Sequence, residues 1–430
     1  VKINTPIRTG GATCVVRLLI RCRTGRTGEL MTARRAEALL RKPGQPRGIS
    51  YLELFFDLVF VFGLTRLSQW LLEDFTSRRH VAVATQMVLL LLALMMVWVS
   101  TASITDLYDQ RRPVIQLVVA GAMFGALVMA VTLPEAFGSE GLEFAGAYVA
   151  IHIGRGLVLV PALRGHEVQR RAAGVMLWYA VSAVPWIVGA ASPEISTRAA
   201  LWALALAIEY LGAALFYPAP WVHRPTPARW SIGAEHIAER YLQFFIIALG
   251  ELIAVTGATD GAKYLASGGA AAGFFLAFAT TVLLWRTYLY RAGALLHAAI
   301  AAAPVPARIV RRTLLAHVIM VGGVVAADAG FELAISQPLG HIDPTWIPLI
   351  VGGPVVFLIG RVLFGYTIFA RVSQSRVIGA LLLAGASPVM FFLPPLAVAT
   401  TVTLVLASIA FTDVVVARGR PPKPPSPPGG

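Results

Sequence analysis

Cysteine is almost absent from this chain. Cys14 and Cys22 are the only two, and both lie close to the N-terminus. They imply neither a disulfide framework nor a Cys-based metal site. Lysine is scarce as well, at four against 32 arginines. With abundant alanine, that ratio fits a GC-rich genome better than an arginine-specific chemistry. Charge of either sign is sparse. Asp, Glu, Lys and Arg make up 13% of the 430 residues and hydrophobic residues 57%, whereas soluble domains carry about 25% charged residues. A water-soluble globule is excluded, and so is disorder outside the ends. No HExxH, P-loop or GxSxG motif occurs, so no metal enzyme, ATP-driven pump or serine hydrolase is expected, and no cofactor. The formal charge of +14 would point to nucleic acid in a soluble protein. Here the charges sit between apolar runs, so they are read as membrane topology, and no nucleic-acid partner is expected.

What the chain does have is long apolar runs. Twelve segments come near the ~20 residues a spanning helix needs: 52–72, 81–103, 114–133, 143–163, 172–191, 197–217, 236–257, 268–290, 312–333, 346–370, 377–394 and 396–416. Barrel strands would alternate every second residue, and these do not. The expected fold is an all-α, polytopic integral membrane bundle of about 12 helices. Helices 11 and 12 meet at Leu393-Pro394-Pro395, and a re-entrant hairpin is the alternative there. Residues 51–417 form the membrane domain. Residues 1–50 hold 11 Lys/Arg against two acids and are expected to be a basic, largely disordered tail. Residues 1–30 are read as an extension upstream of a start at Met31. Residues 418–430 are Pro-rich and expected to be disordered.

Loop charge gives the orientation. With the N-terminus in the cytoplasm, 27 Lys/Arg fall on the cytoplasmic side, four on the outer side and five within spans. The positive-inside rule therefore places both termini in the cytoplasm of a bacterial inner membrane. Lipid is the one partner expected with the fold. The oligomeric state is open.

Polar residues inside the spans carry the functional argument. A charge at the bilayer centre costs roughly 2.5–3.5 kcal/mol on insertion scales, so it needs a partner, a wet cavity or a task. Glu53 and Asp57 lie four apart on one face of helix 1. His236, Arg240, Gln243 and Glu251 form a stripe on helix 7, with Glu239 beside it. Helix 9 carries His317, Asp328 and Glu332. Helix 6 has Glu209, helix 4 His152 and Arg155, and helices 8 and 10 Arg286 and Arg361. Helix direction puts Glu251, Asp328 and Glu332 in the outer half, with no arginine at their level. Asp57, Glu251, Asp328 and Glu53 are therefore candidate proton or ion sites. Arg155, Arg240, Glu239, His236, His317 and Glu209 are candidate charge partners. The competing reading makes all of these structural ion pairs. Gly268-Gly269, Gly322-Gly323 and Gly352-Gly353-Pro354 read as close helix packing or kinks.

The segment ELFFDLVFVF over Glu53–Phe62 resembles the opening signature of the bacterial low temperature requirement protein A family. The similarity continues through Trp98–Asp109, Met129–Phe137, His236-Ile237-Ala238-Glu239-Arg240, Ile247–Glu251 and His317 with Gly322, Gly323 and Gly330. It covers about residues 49–335. The family often has Ser after its Gly-Glu, and Leu252 stands there. The resemblance implies a multipass inner-membrane protein linked to growth in the cold, and no substrate. Tyr51-Leu52-Glu53 and Tyr241-Leu242-Gln243 open helices 1 and 7, and Trp98 and Trp285 sit late in helices 2 and 8, which suggests a 6+6 repeat.

A membrane enzyme acting on lipid finds no nucleophile, metal or nucleotide motif in the sequence, and three other functions remain open. One is a secondary transporter, coupled to protons or another cation, for an unidentified small ion or solute. The second is a non-transporting scaffold or sensor. The third is a cation channel of two six-helix repeats. Asp57 and Glu251 on one cavity favour transport, and sealed Asp–Arg pairs favour the scaffold. Asp57→Asn then abolishes activity in the first case and folding in the second.

Overall fold

The computed structural model describes residues 32–42, 48–75, 80–221, 234–258, 267–418 and 425–427. The proposed extension over residues 1–30 lies outside them. Among the described residues, twelve helices of 17 residues or more coincide with the twelve expected segments. They are α1 (Tyr51–Phe75), α2 (His80–Leu107), α3 (Pro113–Thr132), α4 (Gly141–Ala162), α5 (Val168–Ala191), α6 (Ile195–Ala214), α7 (Ala234–Ala258), α8 (Gly268–Tyr288), α9 (Pro306–Ser336), α10 (Gly352–Phe369), α11 (Gln374–Met390) and α12 (Pro395–Ala417). Among the described residues nine helices are long and apolar enough to cross a membrane. The other long helices are α6, α7 and α11. The chain is a polytopic helical membrane protein, because only helices or closed barrels satisfy every backbone group inside lipid.

Local sequence sets the helix limits. Proline at the first turn opens α3, α9 and α12, where its missing N–H costs nothing. Ser50 opens α1 with a capping box. Its Oγ accepts from Glu53 N at 3.2 Å, and Glu53 Oε2 accepts from Ser50 N at 2.9 Å. Pro394 lies between α11 and α12, so the Leu393-Pro394-Pro395 step is a turn between two separate helices.

The helices pack in a recurring order. α1 lies on α3, α3 on α4, α4 on α5, α5 on α6, and α2 on α6. Six helices later, α7 lies on α9, α9 on α10, α10 on α11, α11 on α12, and α8 on α12. The two sets meet where α9 packs on α1 and α2, and α1 on α7. α9 is the most buried of the long helices. Large apolar side chains face outward all round, such as Phe124, Leu204, Phe275, Leu381 and Phe411. That belt suits lipid rather than water.

Two of the glycine pairs do bring helices together. A Cβ on Gly323 would stand 2.4 Å from Phe357 N, and one on Gly353 would stand 2.3 Å from Ala327 N. The α9–α10 backbones can meet this closely only at glycine. Gly268, by contrast, has open space around it.

The starts of the odd-numbered helices and the ends of the even-numbered ones share what we term the basic end. Residues 32–37 form helical turns there. Leu40 then pairs with Tyr108, just past α2, in an antiparallel bridge. Arg41 N donates to Leu107 O at 3.1 Å and Asp109 N to Leu39 O at 2.8 Å. Part of the basic N-terminal stretch is thus built onto the bundle.

Candidate functional site

The expected face of α1 turns inward, and its two acids meet the stripe on α7. Arg240 donates to both Asp57 oxygens, NH1 to Oδ2 at 2.7 Å and NH2 to Oδ1 at 2.8 Å. Trp98 Nε1 on α2 donates to Oδ1 at 2.9 Å. His236 Nε2 lies 2.9 Å from Glu53 Oε1, and its Nδ1 lies 3.1 Å from Asp106 Oδ1. Arg240 Nε stands 3.8 Å from Glu53 Oε1. Glu53, Asp57, His236 and Arg240 are all fully buried. Three acids thus face two basic groups at the basic end of the bundle. His236, with a carboxylate at each ring nitrogen, suits an imidazolium that ties α7 to α1 and α2. The geometry makes Asp57–Arg240 a sealed, bidentate pair. Glu239 is half-buried, and among the described residues no hydrogen bond joins it to this network.

Further along the same face of α1 lies a different arrangement. Thr65 donates to Glu251 Oε2 of α7. Ser68 Oγ donates to Asp328 Oδ2 of α9 at 2.6 Å. Both acids are fully buried, and the charge of Glu251 reaches Asp328. Glu251 Oε1 and Asp328 Oδ1 have no hydrogen-bond partner. Among the described residues no Arg, Lys or His lies within ion-pair distance of either. These two carboxyls, in contrast to Asp57, are held by neutral hydroxyls alone. Each of these carboxyls can take a proton at its open oxygen. Among the described residues no group of three or more His, Cys, Asp or Glu is placed to hold a metal ion.

The remaining candidates fall elsewhere. Glu209 on α6 is satisfied by Tyr148, by Ser182 Oγ at 2.6 Å and by Trp186 Nε1 at 3.0 Å. It binds neutral donors of α4 and α5, not an arginine. His317 sits between Thr313 O, at 2.7 Å from Nδ1, and the Tyr288 hydroxyl, at 2.8 Å from Nε2. A carbonyl can only accept, so Nδ1 carries a hydrogen and Nε2 accepts from Tyr288 in the neutral ring. Arg155 reaches Thr101 Oγ1 at 3.2 Å and, among the described residues, no carboxylate. It is therefore not an ion-pair partner in this structure.

Two arginines serve the backbone. Arg361 donates to Thr287 O and Tyr290 O, each at 2.8 Å. Thr287 lies just before a π-turn at Leu289–Gly293 and Tyr290 within it, where the regular helix ladder is interrupted. Arg198, in the first turn of α6, is buried. It donates to Ala136 O, Gly138 O, Ala190 O and Ser192 O at 2.8–3.1 Å. It clips the α3–α4 connection to the end of α5.

Sequence reasoning missed Asp106, Thr65 and Ser68. A signal existed for each. Asp106 lies eight residues after Trp98, on the same face of α2. Thr65 and Ser68 continue the α1 stripe of Glu53, Asp57 and Val61 at helical spacing.

Fold and site together define a multipass helical membrane protein with carboxyls buried at two levels. The profile of a family described as "Bacterial low temperature requirement A protein (LtrA)" matches residues 48–411. The chain belongs to that family. It is 31% identical over 380 residues to "Uncharacterized protein RA0937" of Rhizobium meliloti (strain 1021), covering 86% of this chain and 90% of the relative. No solved structure matches the chain.

Proposed function

We propose that this protein is a secondary transporter coupled to protons or a small cation, with Glu251 and Asp328 as the coupling carboxyls. One observation carries the reading: two fully buried acids that hold only hydroxyls and keep one oxygen each unpartnered. An ionised pair in that setting is expensive, so proton or cation binding is its natural resolution. The helix order that recurs after six helices supports a duplicated unit, a common plan among carriers, with the site at the seam between halves. Asp57, paired to Arg240, then fixes the seam and does not carry the proton. Loop charge supports an inner-membrane location with both termini in the cytoplasm. The reading assigns no enzymatic step and no role in cold growth.

The test is a pH-dye assay in proteoliposomes. An imposed pH gradient should drive proton movement through the intact chain, and Glu251→Gln or Asp328→Asn should abolish it while the protein stays folded. Absence of movement with every cation tried, in folded and inserted protein, would leave the scaffold or sensor reading. The sealed Asp57–Arg240 pair is the observation that favours that second reading.

A further inference from the structure

A cavity of about 220 Å³ lies at the basic end, between α2, α4 and α5 and the starts of α7 and α9. A single water needs only ~10–15 Å³. Its walls are mostly apolar, with Ile104, Leu159 and Met176 among them, and Asp106, His152, Arg155 and Arg171 add polar groups.

Two of these groups lack what buried polar groups normally have. His152 is 2% exposed, and neither ring nitrogen has a hydrogen-bond partner. Its ring stacks on Tyr179 with centroids 4.0 Å apart, so its position is fixed while its nitrogens stay unsatisfied. Arg155 is 7% exposed. Its one hydrogen bond is the 3.2 Å contact to Thr101, and its Nε has none. The nearby acid whose charge reaches it, Glu209, has its oxygens taken by Tyr148, Ser182 and Trp186. The other buried arginines, Arg198, Arg240, Arg361 and Arg376, are each anchored by two or more short bonds.

Arg361 occupies the matching place in the second half. It sits on α10, the counterpart of α4 in the recurring helix order, about two turns from the helix end, as Arg155 does. There the guanidinium reaches backbone carbonyls beside α8, and Phe364 packs against it. The first half leaves the equivalent guanidinium at a cavity.

We infer that this cavity binds a small organic anion with an apolar body, its carboxylate or similar group held by Arg155 and His152. An anionic head supplies acceptors for the guanidinium and the imidazole, and the apolar wall takes the rest. Asp106 is no obstacle, because His236 holds it from the other side. In the proposed carrier this anion is the substrate class, bound at the basic end while Glu251 and Asp328 lie further along α1. That assignment rests on the transport reading, whereas binding itself does not.

Thermal unfolding of the purified full-length protein in detergent tests it, followed by tryptophan fluorescence. Benzoate or hexanoate at millimolar concentration should raise Tm by several degrees, as any ligand specific to the folded state does. Benzyl alcohol and benzylamine, of the same size, should not. Arg155→Gln should remove the benzoate shift. Ala172→Phe, which fills the cavity from α5 and leaves Arg155 in place, should also remove it, and it decides the matter if the arginine variant does not fold. Equal shifts with benzyl alcohol, a shift that survives in Ala172→Phe, or no shift with either anion overturns the inference. Binding without flux in proteoliposomes would instead sink the carrier reading and leave this site standing.

Discussion

Arg240 grips both oxygens of Asp57 across the seam between the first and second sets of six helices. Trp98 completes the clamp from α2, with its ring 5.4 Å below the guanidinium carbon. The pair is dry and bidentate, so its two members stand or fall together.

Asp57→Asn should therefore cost folding rather than a proton step. Removing one partner from a buried ion pair costs about 3–5 kcal/mol, because the other charge is left uncompensated. Adding Arg240→Gln should recover part of that loss. Thermal melts of the single and double variants in detergent measure the coupling. An Asp57→Asn protein as stable as the parent would refute the structural role.

The hydroxyls at the second level should act differently. Thr65→Val keeps the shape of the side chain and removes the donor to Glu251, at a cost of about 1–3 kcal/mol. Thr65→Ser restores the donor and should restore stability. If Glu251 is a coupling group, Thr65→Val also shifts the pH at which proteoliposome flux is half-maximal, and Thr65→Ser does not. A stability loss with an unmoved pH profile would separate Thr65 from the site.

Arg198 offers a test of the clip between the α3–α4 connection and the end of α5. Lysine cannot reach four carbonyls on two segments at once. Arg198→Lys should lose roughly 2 kcal/mol, the scale of one or two charge-assisted bonds. Hydrogen exchange should rise at residues 136–141 and 190–194 and stay unchanged at the basic end. Uniform change along the chain would argue against a local clip.

Close packing at glycine makes a sharper contrast. Gly353→Val drives a side chain into the backbone of Ala327 and should cost about 3 kcal/mol by overpacking. Gly268→Ala meets nothing within 4 Å and should stay within about 0.5 kcal/mol of the parent. The midpoint of thermal unfolding reads both.

Asp343 supplies a pH dependence outside the spans. Its Oδ1 accepts from Thr345 N at 2.9 Å and caps the turn that leads toward α10. The bond from the Thr345 backbone N–H holds its carboxyl below the usual carboxylate range. A folded-state pKa below the unfolded one stabilises above about pH 4. The contribution is lost as pH falls through the lowered value. Asp343→Asn should flatten that part of the acid unfolding curve.

The helices were legible because lipid demands long apolar runs, and each of the twelve segments carries one. The inward face of α1 was legible from Glu53 and Asp57, which lipid would not tolerate. What spacing along one chain cannot say is which partner an acid meets on another helix. Depth placed Glu251 with no arginine at its level, but not which group on another helix would hold it, and Asp57 finds Arg240 where Glu251 finds Thr65. Arg155 and Glu209 both read as charge partners from sequence. In the bundle, Tyr148, Ser182 and Trp186 take the carboxylate first, because neutral donors on α4 and α5 lie closer. Residues 32–42 were hidden by their polar composition, since a bridge to Tyr108 depends on where α2 ends and not on hydropathy.

The bridge between Leu40 and Tyr108 ties the N-terminal stretch to the cavity wall. Leu40 and Tyr108 exchange backbone contacts across a gap of helix and loop, and Tyr108 also lines the cavity. An insertion or deletion between residues 32 and 42 would shift the register against the end of α2 and move a wall residue with it. Homologues that differ in length here should carry matching changes around residues 107–109. Residues 39–41, which lie ahead of the first long helix, are thus coupled through the bridge to the cavity wall.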